Sequence, residues 1–241
     1  MSRPRTIFIT GAATGLGQAL ALHLAQPNTH LLLHHHQTPI EATAQQAQDQ
    51  GAKVSTFAAN LGLPHARDDL LSALQATTGH LNVLIHNAAV FPEEPLPQTT
   101  PQNWQQVMEV NLNAVFHLTQ GLTPLLSAAG SPQNPARIIH IGDSGANRIV
   151  ARPTATAYHV AKLGVSVLNR SFAQTLTSQG ITVNQISPGF LANSQGTHQK
   201  PIPAGRKGEF SDITAALDYL LSPQAHYVSG ADITVSGGWN L

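Results

Sequence analysis

Tyr158 and Lys162 stand four positions apart in a stretch that reads as helix, so both side chains leave the same face. That pairing suits proton transfer. A free phenol has a pKa of about 10, too high for ready exchange at neutral pH, and a neighbouring ammonium stabilises its conjugate base. The second cluster of chemistry-bearing residues is Thr10-Gly11-Ala12-Ala13-Thr14-Gly15-Leu16-Gly17. It follows an apolar run and opens a helix-length stretch, where free backbone N–H groups and the helix dipole receive a phosphate. Its spacing, Gly-x-x-x-Gly-x-Gly, departs from the commoner Gly-x-Gly-x-x-Gly of dinucleotide sites.

To bring a glycine turn near residue 11 and a Tyr/Lys pair near residue 160 together, the chain needs a sheet whose carboxyl edge collects loops from both halves. Short apolar runs at 6–10, 30–34, 53–58, 83–86, 137–141, 182–186 and 232–235 alternate with helix-length segments at 17–25, 39–50, 64–77, 101–127, 156–178 and 211–221. That alternation predicts an α/β fold: a single Rossmann-type, doubly wound parallel sheet with helices on both faces. Stretches 91–101, 131–135 and 192–208, rich in Pro, Gly, Gln and Ser, read as loops on the working edge of the sheet. No repeat or linker divides the 241 residues, so one dinucleotide-binding catalytic domain, 1–241, is expected.

Composition removes several function classes. Twelve basic residues balance twelve acidic ones, which gives no field for nucleic acid or an anionic membrane. With no cysteine, thiolate chemistry and Cys-ligated zinc are excluded. Thirteen histidines raise the question of a metal, but neighbours in the triplet His34-His35-His36 point to opposite faces of a strand, and no metal site is expected. No run nears the roughly twenty apolar residues that span a bilayer, and residues 1–5 do not read as a signal peptide, so a soluble cytoplasmic protein is expected.

Four motifs in order, the glycine turn, Asn87-Ala88-Ala89, Tyr158-His159-Val160-Ala161-Lys162 and Pro188-Gly189, resemble the short-chain dehydrogenase/reductase family over essentially the whole chain. The resemblance ends in Gly230 to Trp239, similar to the family's closing strand and Gly-Gly turn. It implies a nicotinamide coenzyme held by Gly11, Thr14, Gly15, Leu16, Gly17, Asn60, Leu61, Asn87, Ala88, Ala89, Pro188 and Gly189, with Tyr158 as proton donor and Lys162 on the ribose. It also implies a catalytic asparagine, matched by Asn111, which would orient a relay water, and a serine after the fifth strand. There the chain departs from the pattern. Counting from the strand gives Asp143, with Ser144 beside it as a candidate substrate contact, while counting back from Tyr158 gives Gly145, as though the loop were two residues longer. A carboxylate beside Tyr158 disfavours the phenolate and keeps the phenol a proton donor, which suits reduction; Lys162 or Arg148 would balance its charge, or protonation would remove it.

With Asp143, the 33–38 segment and Asn87 to Phe91, the resemblance is greatest to the pteridine reductase and dihydromonapterin reductase branch, where an aromatic at the Phe91 position stacks the substrate. Reduction of a dihydropterin or dihydrofolate C=N bond is therefore expected, with a carbonyl reductase of 3-oxoacyl or small ketone substrates as alternative and a non-catalytic nucleotide sensor as the remote one. The end of the second strand lacks the acidic residue that binds an adenosine ribose and repels a 2′-phosphate. NADP(H) is thus expected over NAD(H), with His34 and Thr38 as phosphate contacts, although Thr14 and Gly15 stand where relatives carry a basic residue. Family analogy adds a homotetramer.

Overall fold

A computed structural model describes residues 4–146, 148–194 and 201–239. Seven strands, β1 (Arg5–Ile9), β2 (Thr29–His35), β3 (Lys53–Ala58), β4 (Val83–His86), β5 (Ala136–Ile141), β6 (Ile181–Pro188) and β7 (Asp232–Val235), pair in parallel. Their order is β3-β2-β1-β4-β5-β6-β7, the doubly wound arrangement expected from the sequence. Every expected strand and helix-length segment is present, with bounds displaced by at most two residues.

The strands read as continuous apolar runs because both faces are covered. Ile7, Ile9, Leu31, Leu33 and Ile85 pack one face against α1 (Gly15–Leu24), α2 (Glu41–Asp49) and α7 (Phe210–Leu221) through Leu20, Ala47 and Leu217. Their immediate neighbours Phe8, Leu32 and Leu84 point the other way. They meet α3 (Pro64–Thr77), α5 (Ala114–Ser127) and α6 (Thr156–Leu176) through Leu70, Leu118 and Leu176.

The segment expected as one helix from 101 to 127 is α4 (Pro101–Met108), a π-helical turn (Glu109–Asn113) and α5. Arg67 reaches into that turn: its Nη1 donates to Glu109 Oε2 at 2.8 Å and to the Leu61 carbonyl at 2.8 Å. Loop 131–135 is a correction. It follows α5 and precedes β5, and Ala136 N–H donates to the Gly180 carbonyl ahead of β6, so it lies on the amino edge, away from the site. In a parallel sheet only strand-to-helix loops gather at the carboxyl edge. Within loop 192–208, residues 195–200 lie outside the described residues.

Among the described residues no helix is long and apolar enough to cross a membrane, and no group of three His, Asp or Glu is placed to hold a metal.

Candidate active site

The turn after β1 is built by glycine and locked by two polar side chains. Gly11 (φ 66°) and Gly15 (φ 58°) occupy left-handed backbone, and a Cβ on Gly17 would lie 2.0 Å from the Gly11 carbonyl oxygen. Asn87 Nδ2 donates to the carbonyls of Thr10 and Gly11 at 3.1 and 3.0 Å, while Thr10 Oγ1 accepts the N–H groups of Asn87 and Ala88 at 3.0 Å. The first helical bond of α1 runs from Gln18 N–H to the Thr14 carbonyl, so the N–H groups of Gly15, Leu16 and Gly17 precede any intrahelical acceptor.

A cavity of about 440 Å³ opens beside this turn. Gly11 and Thr14 line it from the turn, Leu16 and Gly17 from the start of α1, Asn60 and Leu61 from beyond β3, and Asn87, Ala88 and Ala89 from beyond β4. His34 and Thr38 complete the set anticipated from the sequence. Gly15, Pro188, Gly189 and the Tyr158/Lys162 pair are not in its wall, which also takes in Ala13, Gln106, Val110 and residues 35–37. Gln106 and Val110 stand four apart on one helical face, a spacing visible in the sequence once α4 is known to border the cavity. The glycine turn, free amides and amide-rich opposite wall fit a dinucleotide: anion donors at one end and an apolar slot at Leu61 and Val110 for a base.

His34 departs from its expected role. Its Nδ1 accepts the Gly11 N–H at 3.1 Å and its Nε2 donates to the Ala59 carbonyl at 3.0 Å, so both ring nitrogens are engaged within the fold. Burial lowers its pKa to about 4. Thr38 and residues 35–37 line the same stretch of the cavity wall.

Tyr158 and Lys162 sit on α6, 9 and 5% exposed. The loop before α6 is held by Leu96 N–H donating to the Pro153 carbonyl at 2.8 Å and Ala155 N–H donating to the Glu94 carbonyl at 3.0 Å. The Tyr158 hydroxyl donates to Asp143 Oδ2 at 3.1 Å, and Asp143 Oδ1 accepts the Gly145 N–H at 2.6 Å. Of the three positions that counting leaves open, Asp143 is the one the phenol contacts. Ser144 is 2% exposed, its N–H donating to the Pro188 carbonyl, and Gly145 serves the carboxylate.

Burial pushes the Tyr158 pKa well above 10, and the Asp143 charge and hydrogen bond add to the rise. Lys162 Nζ donates to the Ile141 carbonyl at 2.7 Å and lies 5.7 Å from the Tyr158 ring centroid. Burial lowers its pKa to about 8, with Asp143 opposing. Of the cations anticipated beside Asp143, Lys162 acts on it; Arg148 is exposed, and Arg152 instead donates to the Gly145 carbonyl in the same loop. His159, missed in the sequence, shares Asp143's field, and its ring lies 5.5 Å from that of Tyr158.

Asn111 lies in the π turn, 1% exposed, and clamps the loop after β4: Oδ1 accepts the Val90 N–H at 2.9 Å and Nδ2 donates to the Val90 carbonyl at 2.8 Å. Both ends of its amide are thereby used. Next to Val90, Phe91 is 53% exposed and meets the Tyr158 ring edge-on, with centroids 4.7 Å apart at 84°. Asn193, four residues past Gly189, brings its amide beside Gly15.

The family model described as enoyl-(acyl carrier protein) reductase matches residues 11–240. A curated relative from Bacillus subtilis, named 2-dehydro-3-deoxy-D-gluconate 5-dehydrogenase, is 31% identical and covers 98% of this chain and 94% of its own. The 3-oxoacyl-[acyl-carrier-protein] reductase FabG of Staphylococcus epidermidis is 28% identical over 97% of this chain and 98% of its own. Among solved structures, a Pseudomonas aeruginosa RhlG/NADP complex superposes with a TM-score of 0.87 at 28% identity, covering 98% of this chain and 96% of its own. An acetoin dehydrogenase from Salmonella typhimurium gives 0.86 at 26% identity, with 99 and 96% covered. A match along nearly the full length, with the glycine turn and the Tyr/Lys pair where the fold needs them, leads to one conclusion: the chain belongs to the short-chain dehydrogenase/reductase family of NAD(P)-dependent oxidoreductases.

Proposed function

We propose that the enzyme is an NADPH-dependent reductase of a carbon–nitrogen double bond in a flat heterocycle of the dihydropterin or dihydrofolate kind. The hydrogen bond from Tyr158 to Asp143 carries this reading. An ionised carboxylate accepts hydrogen bonds and cannot donate them, so it does nothing to polarise a carbonyl oxygen and repels one that approaches. A ring nitrogen that bears hydrogen, or an imine that gains a proton, is a complementary neighbour for the same group. Such a substrate offers N–H to Asp143 and a nitrogen lone pair to the phenol.

The bound coenzyme supplies the hydride to the substrate carbon. Tyr158 gives its proton to the nitrogen, which balances the addition of H⁻ and H⁺ across the C=N bond. Asp143, by disfavouring the phenolate, keeps the donor loaded as pH rises. The Lys162 ammonium, 5.7 Å from the Tyr158 ring centroid, is near enough to stabilise a phenolate formed on proton loss, and Asp143 supports its charge. Asn111 holds the Val90–Phe91 segment, and the exposed ring of Phe91 supplies an apolar wall beside the phenol. Preference for NADPH rests on the same cavity wall, where residues 34–38 include no carboxylate to bind a ribose diol or repel a 2′-phosphate.

A second reading, reduction of ordinary carbonyls, is favoured by the names of the relatives, which include 3-oxoacyl thioester and acetoin enzymes. A coenzyme-oxidation panel separates the two. Turnover of dihydrobiopterin or dihydrofolate with NADPH, without turnover of acetoacetyl thioesters or acetoin, supports the first; the converse pattern removes it. Exposed apolar side chains on α5 and α6, Phe116, Val160 and Val167, support a homo-oligomer, and light scattering of the eluted protein tests this.

A further inference from the structure

We propose that His34 is a positioning residue for the coenzyme: its neutral ring ties the phosphate-binding turn to the end of β3 and thereby sets affinity for the part common to NADPH and NADH. The inference rests on family membership and on coenzyme binding, and is independent of which substrate is reduced.

Three chain segments converge on this residue. The His34 carbonyl accepts the Ala12 N–H at 2.8 Å while its Nδ1 accepts the adjacent Gly11 N–H at 3.1 Å, so one residue takes two successive amides of the turn. On the far side of the ring, Nε2 meets the Ala59 carbonyl at 3.0 Å, one residue before Asn60 and two before Leu61 on the cavity wall. The partners also determine the proton. An atom that accepts from an amide carries a lone pair, and one that faces a carbonyl carries hydrogen, so the ring is the neutral Nε2–H tautomer. At 2% exposure it exchanges neither bond for water without cost.

The ring thus acts as a strut of set length between the Gly11 turn, where a pyrophosphate is bound, and the Asn60–Leu61 wall, where a base lies. Gly11 itself sits at φ 66°, and its N–H is taken by His34. Loss of the strut frees the turn and the wall to move apart. The penalty then falls on every ligand that spans both, whether or not it carries a 2′-phosphate.

Side-chain isosteres separate the two bonds. In His34→Asn the amide oxygen takes the place of Nδ1 and keeps the Gly11 bond; in His34→Gln the amide nitrogen takes the place of Nε2 and keeps the Ala59 bond; His34→Phe fills the space with neither. Dissociation constants for NADPH and NADH are measured by quenching of protein fluorescence, on variants whose thermal melting confirms a folded state. For loss of one buried hydrogen bond the expected weakening is about tenfold. We expect all three variants to weaken both coenzymes by about that factor, and NADPH and NADH equally, because His34→Asn releases the wall, His34→Gln releases the turn and His34→Phe releases both. Weakening of NADPH alone would make His34 a direct phosphate contact and overturn the proposal. A variant that keeps only one of the two bonds and still binds as the parent does, or no weakening in any of the three, overturns it too, because the tie between turn and wall would then carry no part.

Discussion

Replacing Asp143 by Asn removes the charge and keeps one acceptor: the amide oxygen takes the Tyr158 hydroxyl where Oδ2 does, at 3.1 Å, and the Gly145 N–H loses the partner it has in Oδ1. At that separation a phenolate and a carboxylate repel by about 5 kcal/mol at an effective dielectric of about 20. Asp143 is partly solvated and Lys162 lies close by, so solvent and the ammonium offset part of that ceiling, and what survives raises the phenol. Burial alone still holds the phenol above its ordinary value. The expected outcome is a Tyr158 phenolate that forms at lower pH in Asp143→Asn than in the parent. Ultraviolet difference titration of each protein against its own Tyr158→Phe counterpart isolates this phenol from Tyr219 and Tyr227. Loss of Asp143 also withdraws support for the Lys162 ammonium, whose pKa should fall further below about 8. Both effects move the alkaline limb of kcat/KM for reduction to lower pH. If the phenol of Asp143→Asn titrates where the parent's does, Asp143 does not control the donor, and the argument for a protonated Tyr158 over a broad pH range is refuted.

Acid should destabilise the fold through its buried histidines. Burial lowers both His34 and His140 to about 4, so the folded state binds fewer protons than the unfolded chain at intermediate pH. Their stabilisation is full above about pH 6.5 and is lost as pH falls toward 4, the loss reaching about 2 kcal/mol each by pH 5. Urea unfolding at pH 7.5 and 5.0 reads the loss, and His140→Asn should remove its own share; an unchanged unfolding free energy contradicts the assignment. Gly17→Ala forces a Cβ to within 2.0 Å of the Gly11 carbonyl oxygen, so coenzyme affinity should fall by more than about tenfold, measured by fluorescence titration. Asn111→Ala strands the N–H and carbonyl of Val90, which should cost about 2 kcal/mol in urea unfolding. The freed Phe91 segment should also raise KM for substrate more than KM for coenzyme.

Much of the architecture was legible along the chain because the signals are local. Apolar runs of strand length separated by helix-length segments identify a parallel sheet, and all seven strands lie where those runs do. The glycine turn and the four-residue Tyr158/Lys162 spacing are likewise properties of neighbouring positions, readable without any partner. Loop 131–135 shows the limit of composition: its polarity announces a loop, while the edge on which it lies follows from whether it leaves a strand or enters one.

What depends on contacts between distant segments was left to the tertiary structure. Three positions competed for the place after β5, and only the meeting of that loop with α6 selects Asp143, fifteen residues from the phenol it receives. His34 looked like a free phosphate contact because its two partners, Gly11 and Ala59, lie 23 and 25 residues away. Asn111 advertised a polar group in an apolar helix, and only the π turn beside the β4 loop shows that its amide is spent on Val90. Sequence by itself determined which residue types carry chemistry and on which elements they ride. Burial and the direction of each hydrogen bond decided which of them hold a proton, which hold the backbone and which remain open to a ligand, because those are properties of pairs brought together only by folding.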